Sequence, residues 1–285
     1  NGSSYPEIRF KGFTDPWEQR KLGDVVKEIT RNDPESEAPI MMITANNGFI
    51  EQSERYAFNN AGESLKKYIL LKKGELAYNH GASKLRPYGS CFALTTAENA
   101  RIPFVYHCFS AENQNAEFMS IELNGAEIEN QLRKIVSSGA RMDGLLNISF
   151  DEYTSVSVIL PGTEEQDRIA DFFRHLDNLI TLHQRKFEKL TNVKKSMLEK
   201  MFPQNGSSYP EIRFKGFTDP WEQRKLGECF SERVESMPDG ELISVTINDG
   251  IKKFSELGRH DNSNDNKSKY KKVCVGDIAY NSMRM

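Results

Sequence analysis

The chain has 285 residues, of which 38% are apolar and 28% charged, and its formal net charge is −3 at pH 7. This length favours roughly two domains, and no apolar run approaches the ~20 residues that a membrane span requires. The negative balance excludes a protein that is basic all over, so any nucleic-acid surface must be local.

The chain begins with a segment that recurs later. Residues 1–23 reappear without a change at 205–227, and the copies diverge at the next position, where Asp24 aligns with Glu228. We call these two stretches the first and second copy of the repeat segment. An identical stretch followed by divergence predicts two modules that share a leading segment and differ in their interiors. We expect residues 204–285 to be the start of a second, incomplete domain.

Residues 24–162 predict a globular domain of short strands with a few helices. The Asn46-Asn47-Gly48 turn is typical of a hairpin, and the apolar spacing over residues 128–136 predicts a helix that ends near Gly139. The predicted strands are 40–44, 49–50, 68–71, 76–78, 91–95, 104–109 and the alternating residues Val156, Val158 and Leu160. We therefore predict an α+β fold, a strand-rich mixed domain attached to a long helix.

Residues 163–203 predict that helix. Thr163 is the expected N-cap and Gln166 completes a capping box, and neither Gly nor Pro follows until Pro203. Apolar residues then recur at alternating steps of four and three, which favours a coiled coil over an ordinary surface helix. The predicted seam comprises Ile169, Phe173, Leu176, Ile180, His183, Phe187, Leu190, Lys194, Met197 and Met201. Polar residues at such positions, here His183 and Lys194, commonly fix register and partner number.

Catalytic and metal-binding patterns are missing from the sequence. HExxH, GxSxG, P-loop and GxGxxG motifs do not occur, and the five histidines lack metal-ligand spacing. The four cysteines form no CxxC pair and the start has no signal-peptide pattern, which fits a reducing cytoplasm. We expect a cytoplasmic protein that is not an enzyme and has no metal or cofactor of its own.

Polar loops offer side chains that suit DNA. The run from Tyr78 to Arg86 combines amide, imidazole, hydroxyl and two cationic groups; Arg suits guanine, Asn suits adenine, and Lys or Ser can hold phosphate. An ordinary solvated loop has a similar composition, so a coiled-coil protein-interaction adaptor without DNA binding stays open. The candidate DNA-binding residues are Asn46, Asn47, Tyr78, Asn79, His80, Ser83, Lys84, Arg86, Ser138 and Arg141.

Several stretches together resemble the specificity (S) subunit of type I restriction–modification enzymes. They are the start of the repeat segment (YPEIRFKGF, then WEQRKLG), the run GELAYN at residues 74–79, and the helix region with its Leu-Pro, Glu-Gln and Ile-Ala pairs from residue 160 onward. The likeness covers essentially the whole chain, and it is the ordered set of stretches that is specific.

The resemblance implies a non-catalytic, DNA-binding ruler. In that family two target-recognition domains each read half of a split site in double-stranded DNA, and two conserved helices form an antiparallel coiled coil between them. Such a subunit docks methyltransferase subunits, which bind S-adenosylmethionine, and restriction/translocase subunits join for cleavage. This chain departs from that plan, since it has one recognition domain, one helix and an incomplete second domain. We therefore expect a fragment, a recombined variant, or a half-subunit that pairs with a second copy of itself on a palindromic site.

Overall fold

The computed structural model describes residues 5–45, 47–55, 62–136, 145–247, 249–258 and 269–281. The chain divides into two units, Asn1–Glu188 and Lys189–Met285. The first unit contains the strands and helices that carry the candidate site. The second contains the end of the long helix and the second copy of the repeat segment.

Short antiparallel strands dominate the first unit. They are β1 (Glu18–Lys21), β2 (Val26–Glu28), β3 (Met41–Thr44), β4 (Gly48–Glu51), β5 (Ile69–Lys72), β6 (Leu76–Asn79), β7 (Ser90–Ala93), β8 (Asn99–Ile102), β9 (His107–Ala111) and β10 (Ser157–Leu160). The central sheet has the order β2-β9-β6-β7, and the remaining strands form the pairs β1-β10, β3-β4 and β5-β8. The predicted α+β class is confirmed.

Helices cover this sheet and lead out of the unit. They are α1 (Ala116–Leu123), α2 (Ala126–Ile135), α3 (Phe150–Thr154) and α4 (Thr163–Lys200). One apolar cluster lies among α1, α2, β10 and the central sheet, and a second lies among β3, β5 and β8. The strand β6 contributes to both clusters, through Leu76 and Tyr78 to the first and through Ala77 to the second. The end of β6 is therefore fixed from both sides.

The predicted hairpin and most predicted strands are confirmed, with small shifts. β3 and β4 are antiparallel, and the pair nearest the turn is Thr44 with Gly48. Gly48 has the left-handed φ of +64° that such a turn requires. The strand predicted at 104–109 begins only at His107, because a turn closed by the Tyr106 amide on the Pro103 carbonyl comes first.

The predicted long helix is confirmed over Thr163–Lys200, but its predicted cap is wrong. The amides of Glu165 and Gln166 both donate to the carbonyl of Gly162 at 3.0 Å, so Gly162 occupies the N-cap position. Gln166 is fully buried and donates instead to the carbonyl of Pro161 at 2.8 Å. Its side-chain oxygen accepts the amide of Asn115, which caps α1. The Gln166 side chain is therefore bound to Pro161 and Asn115 and does not form the predicted capping box.

The second unit repeats the local architecture of the first. Its elements are the end of α4, then α5 (Leu226–Cys229) and the hairpin β11 (Ile243–Thr246) and β12 (Gly250–Lys253). Arg31 pairs with Glu75 in the first unit, and Arg233 pairs with Asp277 at the matching positions of the second. The Arg233 guanidinium lowers the pKa of Asp277 to about 2. None of the described residues after 188 is fully buried, so this unit has the turns of the first without its apolar core.

Candidate nucleic-acid interface

The polar loop predicted to contact DNA follows β6 and is closed at both ends. At its start, the amide of Gly81 donates to the side-chain oxygen of Asn79 at 2.9 Å. At its middle, Ser83 and Arg86 close a turn, in which each main-chain amide finds an acceptor on the other residue at 3.0 Å. At its end, Gly89 has a φ of +83° and lies against Tyr78. The loop therefore has one defined conformation.

Asn79 joins this loop to the β3–β4 hairpin. Its side-chain nitrogen donates to the carbonyl of Ile43 at 3.1 Å, while its oxygen accepts the Gly81 amide. The exposed Asn47 lies in the turn of that hairpin, where its amide donates to the Thr44 hydroxyl at 3.2 Å. The structure thus ties two of the predicted DNA-binding loops together, and both hydrogen-bonding groups of Asn79 are engaged in doing so.

Tyr78 lies beneath the loop, inside the domain. It is 1% exposed and stacks on Tyr153 with ring centroids 3.9 Å apart. Its hydroxyl donates to the carbonyl of Tyr88 at 2.6 Å. Burial raises the pKa of Tyr78 well above its usual range. This ring holds the two ends of the loop together.

His80 and His107 extend the same aromatic stack. His80 is 5% exposed, and its Nδ1 and Nε2 lie 2.8 and 2.7 Å from the carbonyl oxygens of Leu146 and Val105. The two imidazoles are stacked 5.2 Å apart, and Nε2 of His107 lies 3.0 Å from the carbonyl of Ile148. Burial lowers the pKa of His107, and the neighbouring His80 lowers it further. Both rings connect the loop to the segment that precedes α3.

Arg86 is anchored within the domain, whereas Lys84 is exposed. The Nη1 of Arg86 donates to the carbonyl of Asn124 at 2.7 Å, and its Nε is buried without a partner among the described residues. Lys84 and Leu85 form the tip of the loop, and Leu85 is 60% exposed. The residues that face solvent are therefore those at the tip, and Arg86 sets the position of that tip.

The remaining predicted contacts, Asn46, Ser138 and Arg141, lie outside the described residues. After residue 136 the description resumes at Leu145, which forms an antiparallel bridge with Gly81. The next amide, that of Leu146, donates to the His80 carbonyl at 2.9 Å. Leu145 and Leu146 therefore lie beside the candidate loop.

Sequence reasoning missed two residues that shape this site. The main-chain carbonyl of Asn124 accepts a hydrogen bond from Arg86 Nη1, and its side-chain oxygen accepts one from the Cys91 amide at 3.1 Å. The second bond fastens the end of α1 to β7. Tyr153 is fully buried and supports Tyr78. An Asn at the end of a helix is a recognisable signal in sequence. The Tyr153 stack has no comparable signal, because it joins residues 75 positions apart.

The predicted coiled-coil seam lies on a helix that is exposed after its first turns. Ile169 is partly buried, while Phe173, Ile180, Phe187 and Leu190 are 42, 53, 72 and 56% exposed. His183 and Lys194 are exposed on the same helix. A row of exposed apolar side chains marks an interaction surface, and the partner helix stays a prediction.

Within the described ranges there is no cluster of three or more residues able to hold a metal ion. A search of the same ranges finds no helix with the length and apolar character to span a membrane.

The structure defines the class of protein by its architecture, a strand-rich α+β domain followed by a long helix. Residues 14–192 match the family model of the type I restriction modification DNA specificity domain. The chain belongs to this family. No curated protein matches the sequence.

Solved structures give three further comparisons. One is a structure concerned with complex assembly and conformational transition of the type I R-M system. It has 14% identity to this chain and a TM-score of 0.43, and the match covers 72% of this chain and 53% of that one. The HsdS subunit from Thermoanaerobacter tengcongensis has 17% identity and a TM-score of 0.38, covering 70% and 47%. The S subunit from M. genitalium has 13% identity and a TM-score of 0.38, covering 66% and 46%. The chain spans about half the length of these structures.

Proposed function

We propose that this chain is the DNA-reading specificity subunit of a type I restriction–modification system. In that role it binds double-stranded DNA and directs methyltransferase subunits, and with them restriction subunits, to a particular sequence. It performs no chemistry itself, and S-adenosylmethionine binds to the methyltransferase partner. The observation that carries the proposal is the family match over residues 14–192, which spans the domain with the candidate loop.

The loop after β6 is the part of the domain that we assign to DNA. It is closed by hydrogen bonds, it presents Lys84 at its exposed tip, and it is tied to the turn that carries Asn47. Preformed loops lose little entropy when they bind, and a lysine at a tip can reach phosphate without fixing base identity.

The buried and partly buried members of the predicted set take supporting roles in this proposal. The side chains of Tyr78, Asn79 and His80 form hydrogen bonds with main-chain carbonyls of the protein. Nη1 of Arg86 does the same. We infer that they position the loop. Base contacts by Asn47, Ser83 and the residues outside the described ranges, Asn46, Ser138 and Arg141, are expected from side-chain chemistry.

The test is methylome sequencing of cells that co-express the chain with its methyltransferase subunit. We expect adenine methylation at one sequence motif, and loss of that motif when the chain is omitted. Purified complex should also bind DNA carrying the motif with an affinity that falls steeply with salt. Methylation that does not depend on the chain, or binding that does not respond to salt, would overturn the proposal and favour a protein-binding adaptor.

A pair of lysines sharpens this test. Lys84→Ala should weaken binding to every DNA sequence and reduce the salt slope by about 1, as expected for one lost phosphate contact. The matched control is Lys73→Ala, in the turn that precedes β6 rather than follows it, where Lys73 pairs with Glu98 at 2.6 Å. That control should leave both affinity and slope unchanged. Equal effects of the two substitutions would remove the loop from the interface.

A further inference from the structure

The tip of the loop after β6 carries an exposed leucine. Leu85 is 60% exposed and belongs to neither of the two apolar clusters of the domain. Its neighbours Ala82, Ser83, Lys84 and Pro87 are exposed as well, and none of them has a large apolar side chain. Protein-binding surfaces bury a contiguous apolar core, so a single leucine among small and polar residues does not suit a protein partner.

The main chain around Leu85 is held on both sides. Single exposed apolar residues are common on protein surfaces, but this one lies within a closed segment. The amide of Ser83 donates to the carbonyl of Arg86, and the amide of Arg86 donates to the Ser83 hydroxyl, each at 3.0 Å. The Arg86 side chain is bound in turn to the main chain of Asn124 at 2.7 Å. The leucine is therefore positioned before any ligand binds, and little conformational freedom is lost when it inserts.

A cation stands directly beside the leucine. Lys84 precedes Leu85 in the chain and is exposed. Proteins that bend DNA combine these two kinds of side chain: cations hold the phosphates, while a leucine, methionine or phenylalanine enters between two base pairs and partly unstacks them. The Lys84–Leu85 pair offers both at one tip.

We propose that Leu85 is an apolar wedge that enters a base-pair step from the minor groove of the bound DNA and kinks the duplex there. This inference rests on the proposed function, because it requires the loop to contact DNA. Lys84 then binds a phosphate beside the kinked step. Pyrimidine–purine steps unstack most easily, so the wedge adds a preference for such a step at a position that no polar side chain reads.

Unstacking of single bases gives the direct test. The probe is a duplex that carries the motif found by methylome sequencing, with 2-aminopurine placed at one adenine after another, since its fluorescence rises when the base is unstacked. The full chain in complex with its methyltransferase subunit should brighten one step apart from the methylated adenine. That adenine is flipped out by the methyltransferase whatever Leu85 does, so it is left out of the comparison.

Leu85→Ala should return the brightened step to the fluorescence of free DNA. Energy transfer between dyes at the duplex ends should also show loss of a kink in the range of about 20–90° that wedge residues produce. Leu85→Met keeps a large apolar side chain and should retain both signals. Leu182→Ala is the matched control, because it removes a leucine of nearly equal exposure (61%) from α4, and it should change neither signal. Both leucines are exposed, so thermal unfolding should be the same for all variants.

The outcomes separate the wedge from the function on which it rests. The wedge is overturned if only the methylated adenine brightens, if the brightening persists in Leu85→Ala, or if Leu182→Ala abolishes it equally. A leucine that contacts a thymine methyl group in the major groove would leave the bases stacked, while uracil in place of thymine would weaken binding; that result overturns the wedge too. A complex that methylates no motif overturns the proposed function along with it, whereas a complex that binds its motif without unstacking that depends on Leu85 overturns the wedge alone.

Discussion

Arg9 and Glu165 form a two-pronged ion pair across 156 positions of sequence, at 2.8 and 2.7 Å. The Glu165 side chain is 2% exposed and that of Arg9 is 15% exposed. Glu165 lies in the first turn of α4, where a negative charge suits the helix dipole. The pair therefore fixes the leading segment of the chain to the start of the long helix.

Arg9→Ala should destabilise the first unit, because it leaves the buried Glu165 carboxylate unpaired. An uncompensated charge of this kind destabilises the folded state, so the midpoint of unfolding should fall. Urea unfolding in a Trp221→Phe background would measure it, since Trp17 is then the sole tryptophan of the chain. Arg213→Ala is the matched control, in an identical stretch of sequence, and should change the free energy of unfolding by less than about 0.5 kcal/mol. Similar losses of unfolding free energy in the two variants would mean that the Arg9–Glu165 pair does not contribute to stability.

Two glycines with the same backbone angle test how tightly the candidate loop is closed. Gly74 and Gly89 both have a φ of +83°. An added Cβ at Gly74 meets no atom within 4 Å, whereas at Gly89 it lies 2.6 Å from the Asn79 carbonyl oxygen and 2.7 Å from the Tyr78 ring. Gly74→Ala should cost about 1–2 kcal/mol from backbone strain alone. Gly89→Ala adds overpacking of about 1–3 kcal/mol.

Thermal unfolding of both glycine variants gives the comparison, and DNA binding by Gly89→Ala should fall as well. Equal losses of stability would contradict the closed loop that the Tyr78 contact implies.

The sequence predicted those features that depend on neighbours along the chain. The β3–β4 hairpin followed from an Asn-Gly turn, and the span of α4 followed from its apolar period and from Pro203. β1 was missed because its residues, Glu18–Lys21, are polar and exposed, and the strand pairs with β10, which is distant in sequence. Local patterns carry no information about such distant partners.

The candidate site shows the same division. The sequence indicated that residues 78–86 form a polar loop after a strand, but composition alone treats all of its polar groups alike. His80 has both ring nitrogens against main-chain carbonyls, and Arg86 is bound to Asn124. Whether a polar side chain faces DNA or braces a loop depends on acceptors 25 to 66 residues away.

His107 should make the recognition domain sensitive to mild acid. Burial beside His80 lowers the pKa of His107 below its usual value near 6.5, so the folded state favours the neutral ring. A depressed folded pKa means that the associated stability is complete above about pH 6.5 and is lost as pH falls through the folded pKa. His107→Gln should flatten this part of the stability curve, by at most about 1.4 kcal/mol per pH unit for one proton.

Chemical denaturation between pH 7.5 and 5 would measure the slope for His107→Gln. His183→Gln, at an exposed position on α4, is the control that should follow the unsubstituted chain. A slope that persists in His107→Gln would assign the acid sensitivity to other groups.

The exposed seam of α4 should bring two copies of this chain together. Phe187 is 72% exposed at the middle of the predicted seam, and apolar residues at such positions insert between side chains of a facing helix. Phe187→Asp should weaken self-association at least tenfold, since a central apolar anchor is replaced by a charge. Leu182→Asp makes a comparable change at a residue that is 61% exposed but off the seam, and it should leave association within about twofold, as expected outside the contact. Size-exclusion chromatography with light scattering over a wide concentration range measures both. If the unsubstituted chain stays monomeric throughout, self-association through the seam is contradicted, and neither substitution will alter its mass.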